Sequence, residues 1–219
     1  MKTDGIILDI DGTIWNTTEI VAGAWNKAIE KTNEKAGSSI PKVSAEILQQ
    51  QFGKPMDVIA DNLFKGLTLE DRAELLEMCC NFEQEAIEEN EKDIAYPAVI
   101  SVIKELAQTF NIFIVSNCQD GYIELTMKKN GIEAFIKDWE CFGHNGKSKA
   151  ENIKAIAQRN KLRFPVYVGD TMGDLQACHE AEVPFIWAKY GFGKKIPEDK
   201  CSGIINNFSE LKNLIENAD

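Results

Sequence analysis

Short apolar runs rich in β-branched residues alternate along the chain with segments of helical periodicity. The apolar runs predict buried strands at residues 5–10, 111–117, 164–170, 184–188 and 201–207. Helical patterns lie between them, at about 97–109, 120–130, 148–161, 172–181 and 209–217. This alternation predicts an α/β fold in which a parallel sheet carries helices on both faces.

Residues 16–93 interrupt the alternation, because no segment there has a convincing strand pattern. One helical stripe consists of Val21, Ala24, Trp25, Ala28 and Ile29. A second stripe, on a long acidic helix after Thr68, consists of Leu69, Ala73, Leu76, Cys80 and Ile87. We interpret the acidic run 83–93 as the solvated face and end of that helix. The sequence therefore predicts a core domain of residues 1–15 and 94–219 and a helical domain of residues 16–93, inserted after the first strand.

Composition and charge indicate which partners and which cellular compartment to expect. The chain has 219 residues, is 44% hydrophobic and carries a formal charge of −11, which argues against binding to nucleic acid or acidic membranes. The six cysteines have neither CxxC spacing nor a disulfide-scaffold rhythm, and no segment resembles a signal peptide or a membrane span. We expect a soluble cytoplasmic protein. Its oligomeric state, monomer or dimer, stays open.

Polar residues stand where three of the predicted strands end. They are Asp9 and Asp11, Ser116 and Asn117, and Asp170 with Asp174. Ligands of open parallel sheets bind at the carboxyl ends of the strands, so we expect these side chains to converge. Clustered acids repel one another unless a cation lies among them, and oxygen ligands without His or Cys suit Mg²⁺.

Such a site could transfer a phosphoryl group. A carboxylate near Mg²⁺ can attack phosphorus and form an aspartyl-phosphate, while Ser116 and the backbone around Asn117 donate hydrogen bonds to the phosphoryl oxygens. A lysine is then needed to hold both the nucleophile and the phosphate. The stretch GHNGKSKAEN, residues 143–152, offers Lys147 and Lys149 at the start of a predicted helix.

The order of these motifs resembles the haloacid dehalogenase (HAD) superfamily. The resemblance rests on DIDGT at residues 9–13, Ser116, Lys147 or Lys149, and GDTMGD at residues 169–174. The helical insertion resembles the C1-type cap of the phosphoglycolate phosphatase and β-phosphoglucomutase branch, whose core is Rossmann-like. The segment after the first motif departs from the family, since Trp15 and Asn16 stand where an acid is common.

The resemblance implies a role for each matching residue. Asp9 would be the nucleophile and Asp11 the general acid/base. Mg²⁺ would be bound by Asp9, the backbone carbonyl of Asp11 and Asp170, with Asp174 as a ligand or close by. Gly12, Thr13 and Asn117 are candidates to contact the phosphate. We favour Lys149, which resembles a Lys-x-x-Asn form of the third motif, over Lys147, and both stay candidates.

The stretch QQFGKPMDVI, residues 50–59, resembles the substrate-specificity loop of capped members. This similarity makes Lys54, with its neighbours Gly53 and Pro55, a candidate to reach the substrate. In the capped family the cap closes over the substrate and excludes water. These few residues do not name the substrate, which we expect to be a small phosphorylated metabolite.

The expected function is Mg²⁺-dependent hydrolysis of a small phosphate monoester through an aspartyl-phosphate. A phosphomutase of the β-phosphoglucomutase type is the alternative within the fold. A 2-haloacid dehalogenase is less favoured, because that branch does not need the second acid, Asp11. A non-catalytic phosphate-binding or structural protein is the alternative of a different class.

Other phosphate-binding or acidic motifs fit less well. A nucleotide-binding P-loop over residues 141–148 would need Gly where the chain has Cys141. A response-regulator receiver would lack the long helical insertion, and it would accept phosphate without turnover.

Overall fold

The computed structural model describes residues 2–36 and 39–216, which form six strands and ten α-helices. The strands are β1 (Gly5–Leu8), β2 (Asn111–Ser116), β3 (Ile136–Cys141), β4 (Pro165–Gly169), β5 (Phe185–Ala188) and β6 (Gly203–Ile205). The helices are α1 (Thr18–Ala36), α2 (Ala45–Gln49), α3 (Met56–Leu63), α4 (Leu69–Glu89), α5 (Val99–Leu106), α6 (Tyr122–Asn130), α7 (Phe142–Asn145), α8 (Lys149–Arg159), α9 (Met172–Ala181) and α10 (Glu210–Glu216).

The strands form one parallel sheet in the order β3-β2-β1-β4-β5-β6. The chain moves outwards from β1 to one edge, then returns to the other side of β1 and moves outwards again. The order therefore reverses between β1 and β4, which is where open α/β sheets bind their ligands. This topology confirms the predicted α/β fold with a Rossmann-like parallel sheet.

Burial on both faces explains why most of the strands could be recognised as apolar runs. On one face Ile7, Phe113 and Tyr167 pack with apolar residues of α8 and α9. Ile6 and Leu8, which point to the opposite face, are also buried. A strand covered on both faces needs apolar residues at successive positions and so loses the alternation of a half-exposed strand.

Strand β3 was not predicted, because it lies at the edge of the sheet and carries polar residues. Lys137 and Trp139 are exposed, while Glu140 is buried within the strand. The other predicted strands match observed ones, although the last shortens from 201–207 to β6. The helices predicted between and after the strands correspond to α5, α6, α8, α9 and α10. Residue 217, the last of the predicted 209–217 helix, lies outside the described residues.

The chain divides into two compact units, Met1–Asn16 with Ile94–Asp219, and Thr17–Asp93. The first unit contains the sheet. Within the second, the described residues form helices α1 to α4 and no strand, and α1 packs against α4. The predicted apolar stripe of α1 is confirmed, since its five residues are buried. Of the helices that the structure describes, none has the length and apolar character needed to cross a bilayer.

The predicted apolar stripe of α4 is confirmed at Ile87 and is wrong in its register towards the start of the helix. Leu69 is 81% exposed and Ala73 is also exposed, whereas the buried residues are Leu75, Cys79, Glu83 and Ile87. Glu83 belongs to the acidic run that was interpreted as solvated, yet its Oε2 accepts a 2.7 Å hydrogen bond from the indole Nε1 of Trp25. A buried carboxylate needs such a donor. Periodicity alone does not reveal that one acid lies on the buried face.

Candidate active site

A tight turn after β1 brings the first two acids to the carboxyl edge of the sheet. Asp9 follows β1 directly and is buried, and the amide of Gly12 donates to the carbonyl of Trp15 at 3.0 Å. Gly12 has φ +85°, and a Cβ there would overlap the carboxylate of Asp170. Glycine is therefore required for its backbone conformation and for the close approach of an acid from the next strand.

Lys149 lies between two of these acids. Its Nζ is 3.0 Å from Asp9 Oδ1 and 2.5 Å from Asp174 Oδ1, and the side chain is only 4% exposed. The start of α8 is held by a capping box, in which Ser148 and Glu151 satisfy each other's backbone amides. This cap sets the rotation of α8, so that its first residue points inwards.

Lys147, the other candidate lysine, has a different setting from Lys149, and its predicted catalytic role stays a prediction. It is exposed and precedes the helix cap, and its backbone amide donates to the Asn145 side chain at 2.8 Å. The two lysines are equivalent candidates by composition. The local geometry at the N-terminus of α8 separates them.

Asp174 holds the structure of the site together. Its Oδ2 accepts hydrogen bonds from the amide and the hydroxyl of Thr171, at 2.8 and 2.7 Å, in the capping box that begins α9. Its Oδ1 accepts from Lys149. Both carboxylate oxygens are thus engaged by the protein. Asp174 thus contacts both Lys149 and the start of α9, and its role as a metal ligand stays a prediction.

Asp170 follows β4 and is buried. The backbone amide of Phe192 donates to its Oδ2 at 2.6 Å. A Cβ at Gly191 would overlap both Asp170 and the Gly12 carbonyl, so this loop approaches the site closely only because residue 191 is glycine.

Within the described residues, only one group of three or more acids is close enough to share a metal ion, and it consists of Asp9, Asp170 and Asp174. One oxygen from each lies within 4.8 Å of the others. Asp9 Oδ2 and Asp170 Oδ1 are buried without a hydrogen-bond partner. Unpartnered buried carboxylate oxygens are costly unless a positive charge compensates them. This donor set fits a hard divalent cation.

The pKa values of these acids in the absence of a metal agree with a cation site. Burial raises the pKa of Asp9 to about 6, and the charge of Asp174 adds to this, although Lys149 opposes it. Burial, then the charges of Asp174 and Asp9, raise the pKa of Asp170 well above its usual value. Burial would lower the pKa of Lys149, but the charges of Asp174 and Asp9 outweigh it and raise the pKa. Lys149 therefore remains a cation.

The other predicted site residues have different local settings. Ser116 is buried at the end of β2, and Asn117 is the next residue. Thr13 is buried, and its Oγ1 has no hydrogen-bond partner. Lys54 belongs to the helical unit, where its Nζ donates to the Gln50 carbonyl at 3.1 Å and to Gln51 Oε1 at 2.9 Å. Its contact with a substrate stays a prediction.

Three further residues of the site were not predicted. The hydroxyl of Tyr122 donates to Asp11 Oδ1 at 2.9 Å, and that of Tyr190 donates to the Thr13 carbonyl at 2.8 Å. The third is Phe192, through its amide. A pair of glycines flanking Phe192 just after a strand was the available signal for this loop. The aromatic hydroxyls have no sequence signature of this kind.

The fold and the site define an α/β protein that gathers acids and a lysine at the switch point of its sheet. The family model for haloacid dehalogenase-like hydrolases matches residues 6–188. The chain therefore belongs to that family and is a hydrolase. The comparison with curated proteins gives no significant match.

Solved structures share the fold over nearly the whole chain. One, described as a predicted phosphoglycolate phosphatase from Haemophilus somnus, has 21% identity and a TM-score of 0.82, covering 96% of this chain and 97% of its own. A predicted phosphatase from Clostridium acetobutylicum has 15% identity and a TM-score of 0.81, with 97% and 98% covered. A haloacid dehalogenase-like hydrolase from Streptococcus pneumoniae has 18% identity and a TM-score of 0.76, with 96% and 97% covered. At these identities the similarity concerns the fold.

Proposed function

We propose that the protein is a Mg²⁺-dependent phosphatase that hydrolyses a small phosphate monoester through an aspartyl-phosphate on Asp9. One observation carries this proposal: Asp9 is held by the buried ammonium of Lys149 through one oxygen, while its other oxygen and Asp170 Oδ1 have no partner. A carboxylate in this state can serve as a nucleophile next to a cation. A site with a merely structural role would engage all its carboxylate oxygens.

The proposed reaction has two steps. The Asp9 carboxylate attacks phosphorus, the bond from phosphorus to the ester oxygen breaks, and Asp11 gives its proton to the departing alcohol. Water then attacks the phosphorus of aspartyl-phosphate, Asp11 takes its proton, and the bond to Asp9 breaks to release phosphate. Asp11 thus acts first as a general acid and then as a general base.

Positive charge and hydrogen bonds support both steps. Lys149 orients Asp9 and offers its charge to the phosphoryl oxygens, and Ser116 is a candidate to donate a hydrogen bond. Mg²⁺, held by Asp9, Asp170 and the backbone carbonyl of Asp11, would supply further charge to neutralise those oxygens.

The substrate we propose is a small phosphorylated metabolite. One of the structural relatives is described as a predicted phosphoglycolate phosphatase and another as a predicted phosphatase, which makes 2-phosphoglycolate a first ester to assay. We also propose a cytoplasmic location. The six cysteines are all free thiols, which is typical of proteins in a reducing compartment.

The test is steady-state hydrolysis of 4-nitrophenyl phosphate by the wild type and by Asp9→Asn, each with MgCl₂ and with EDTA. We expect turnover only in the wild type with Mg²⁺, and a covalent phosphate on Asp9 after acid quenching, detected by mass spectrometry. Thermal unfolding shows that the variant is folded. Equal turnover by Asp9→Asn would contradict the nucleophile, and equal turnover in EDTA would contradict the metal. A single stoichiometric phosphorylation without turnover would contradict hydrolysis, and glucose 1-phosphate isomerisation would then be assayed.

A further inference from the structure

Tyr122 brings a hydroxyl group to Asp11 from α6, the helix that follows β2. It is the first residue of α6, the residue is only 3% exposed, and its hydroxyl donates to Asp11 Oδ1 at 2.9 Å. The ring also packs edge-on against Trp15, with 5.6 Å between the ring centroids. The hydroxyl is therefore held on a buried, packed ring and does not depend on a mobile surface side chain.

We propose that Tyr122 is a positioning residue that fixes the orientation of Asp11 and decides which of its oxygens carries the transferable proton. The proposal rests on the proposed phosphatase function, in which Asp11 is the acid/base. Because Oδ1 accepts the Tyr122 proton, the proton that Asp11 exchanges is carried on Oδ2. The carboxyl group is thereby prevented from turning its proton away from the leaving oxygen.

The hydrogen bond is compatible with both steps of the reaction. In the first step the proton on Asp11 Oδ2 moves to the ester oxygen as its bond to phosphorus breaks, and Oδ1 keeps the hydrogen bond. In the second step a proton of the attacking water moves to Oδ2 of the ionised Asp11. Tyr122 retains its own proton throughout, so it is not an acid or base in the reaction.

Another buried tyrosine shows what a structural hydroxyl looks like in this fold. The hydroxyl of Tyr167 donates to the backbone carbonyl of Val115 at 2.8 Å, which links β4 to β2 across β1. Tyr122 instead donates to the side chain of an acid at the carboxyl edge. The same type of buried phenol thus serves the backbone in one place and the candidate acid/base in the other.

The test uses Tyr122→Phe, which removes the hydroxyl and retains the ring. The measured quantity is kcat/KM with Mg²⁺ for two esters of nearly the same shape, 4-nitrophenyl phosphate and phenyl phosphate. The nitrophenolate leaves without much help from an acid, whereas phenolate needs the proton. We expect a loss of about 10- to 100-fold for phenyl phosphate and less than about 3-fold for 4-nitrophenyl phosphate, because general acid catalysis is typically worth 10²–10⁴-fold.

A matched control is Thr126→Val. The Thr126 hydroxyl is buried on the same helix and donates to the Tyr122 backbone carbonyl at 2.8 Å, without contacting Asp11. This variant loses a buried hydrogen bond of α6, and we expect both esters to be affected equally. Tyr122→Met removes the hydroxyl with different packing and repeats the comparison if the Phe variant melts too early to be assayed.

Each outcome separates this proposal from the proposed function. Selective loss for phenyl phosphate, seen in Tyr122→Phe and not in Thr126→Val, supports the role of Tyr122. Equal effects on the two esters, with an active wild type, overturn the role of Tyr122 and leave the phosphatase function in place. An inactive wild type overturns both.

As a second measurement, Tyr122→Phe in an Asp11→Ala background is expected to change kcat/KM by less than about 2-fold, since the partner is already gone.

Discussion

Two clusters in the sheet-containing unit combine acids with a cation in opposite ways. The buried cluster consists of Asp9, Asp170 and Asp174 around Lys149. The surface cluster consists of Asp138, Glu140 and His144 around Arg159. The Lys149 side chain is 4% exposed, while that of Arg159 is 43% exposed.

The surface cluster engages all of its carboxylate oxygens. Arg159 binds both oxygens of Asp138 at 2.7 Å and one of Glu140 at 2.8 Å. His144 Nδ1 is 2.8 Å from the other oxygen of Glu140. Burial would raise the pKa of Asp138 and of Glu140, but the hydrogen bonds from Arg159 outweigh it and lower both pKa values.

The buried cluster leaves two of its oxygens without a protein donor, and the pKa values of Asp9 and Asp170 are raised. A group of charges thus indicates a functional site when the protein itself does not satisfy it. A fully paired cluster stabilises the fold and has no capacity left for a ligand.

The largest effect is expected from removing the central cation. Lys149→Met leaves buried acids without their partner, which typically costs about 3–5 kcal/mol in the free energy of unfolding. Arg159→Met removes an exposed partner and is expected to cost about 1 kcal/mol. Urea unfolding in EDTA measures both, and only Lys149→Met should lose phosphatase activity. Equal losses of stability would contradict the distinction between the clusters.

The second prediction concerns the pH dependence of the metal-free protein. Because the pKa of Asp9 is raised to about 6 on folding, the folded state binds its proton more tightly than the unfolded state. The resulting stability is present below the unfolded pKa, near 4, and is lost as the pH rises through about 6, by about 3 kcal/mol at most.

Urea unfolding in EDTA from pH 4 to 7 measures this loss as the difference between the wild type and Asp9→Asn. We expect the variant to gain on the wild type as the pH rises. Saturating Mg²⁺ should reduce that gain, because the cation stabilises the ionised acid. The lowered pKa values of the surface cluster predict the opposite slope, with stability lost as the pH falls. A constant difference between the two proteins would argue against the raised pKa of Asp9.

The third prediction is a difference in sign between two equivalent substitutions. Asp170→Asn removes a repelling carboxylate and should stabilise the metal-free protein by about 1 kcal/mol. Asp138→Asn weakens a bidentate ion pair with Arg159 and should destabilise the metal-free protein by about 1 kcal/mol. Thermal unfolding in EDTA compares them. The stabilisation by added Mg²⁺ should be lost in Asp170→Asn and kept in Asp138→Asn; the reverse would place the metal elsewhere.

The smallest effect is expected at the edge of the surface cluster. The side-chain amide of Asn160 donates to Asp138 Oδ2 at 2.6 Å and to the Ile156 carbonyl at 3.0 Å. Asn160→Ala should lower the free energy of unfolding by about 1 kcal/mol and leave turnover within about twofold of the wild type. A large loss of activity would show that the surface cluster takes part in the reaction.

The hydrophobic pattern of the sequence predicted the fold mainly from its most buried strands. Strands β1, β2, β4 and β5 are covered on both faces, so their apolar runs were visible without a structure. Strand β3 was missed for the converse reason: an edge strand has one neighbour, and its exposed positions accept polar residues such as Lys137. The register of α4 was wrong because Glu83 is stabilised by an indole donor from another helix.

The acids of the site were predictable because their positions in the chain determine where they lie. Asp9, Asp11 and Asp170 follow strands, and the carboxyl ends of parallel strands meet at one edge. The choice between Lys147 and Lys149 was not determined in this way. Both are close to the start of α8, and only the capping box and the packing of the helix orient one of them towards Asp9.

By itself, the sequence determined the α/β fold, the edge of the sheet at which the candidate site lies, and the acids that gather there. These properties follow from hydrophobic burial and strand order, which act through residue type and spacing. The tertiary structure alone decided that Asp174 is occupied by Thr171 and Lys149, that Phe192 supports Asp170, and that Tyr122 holds Asp11. Each of these is a directional hydrogen bond between distant segments, and its geometry exists only once the chain is packed.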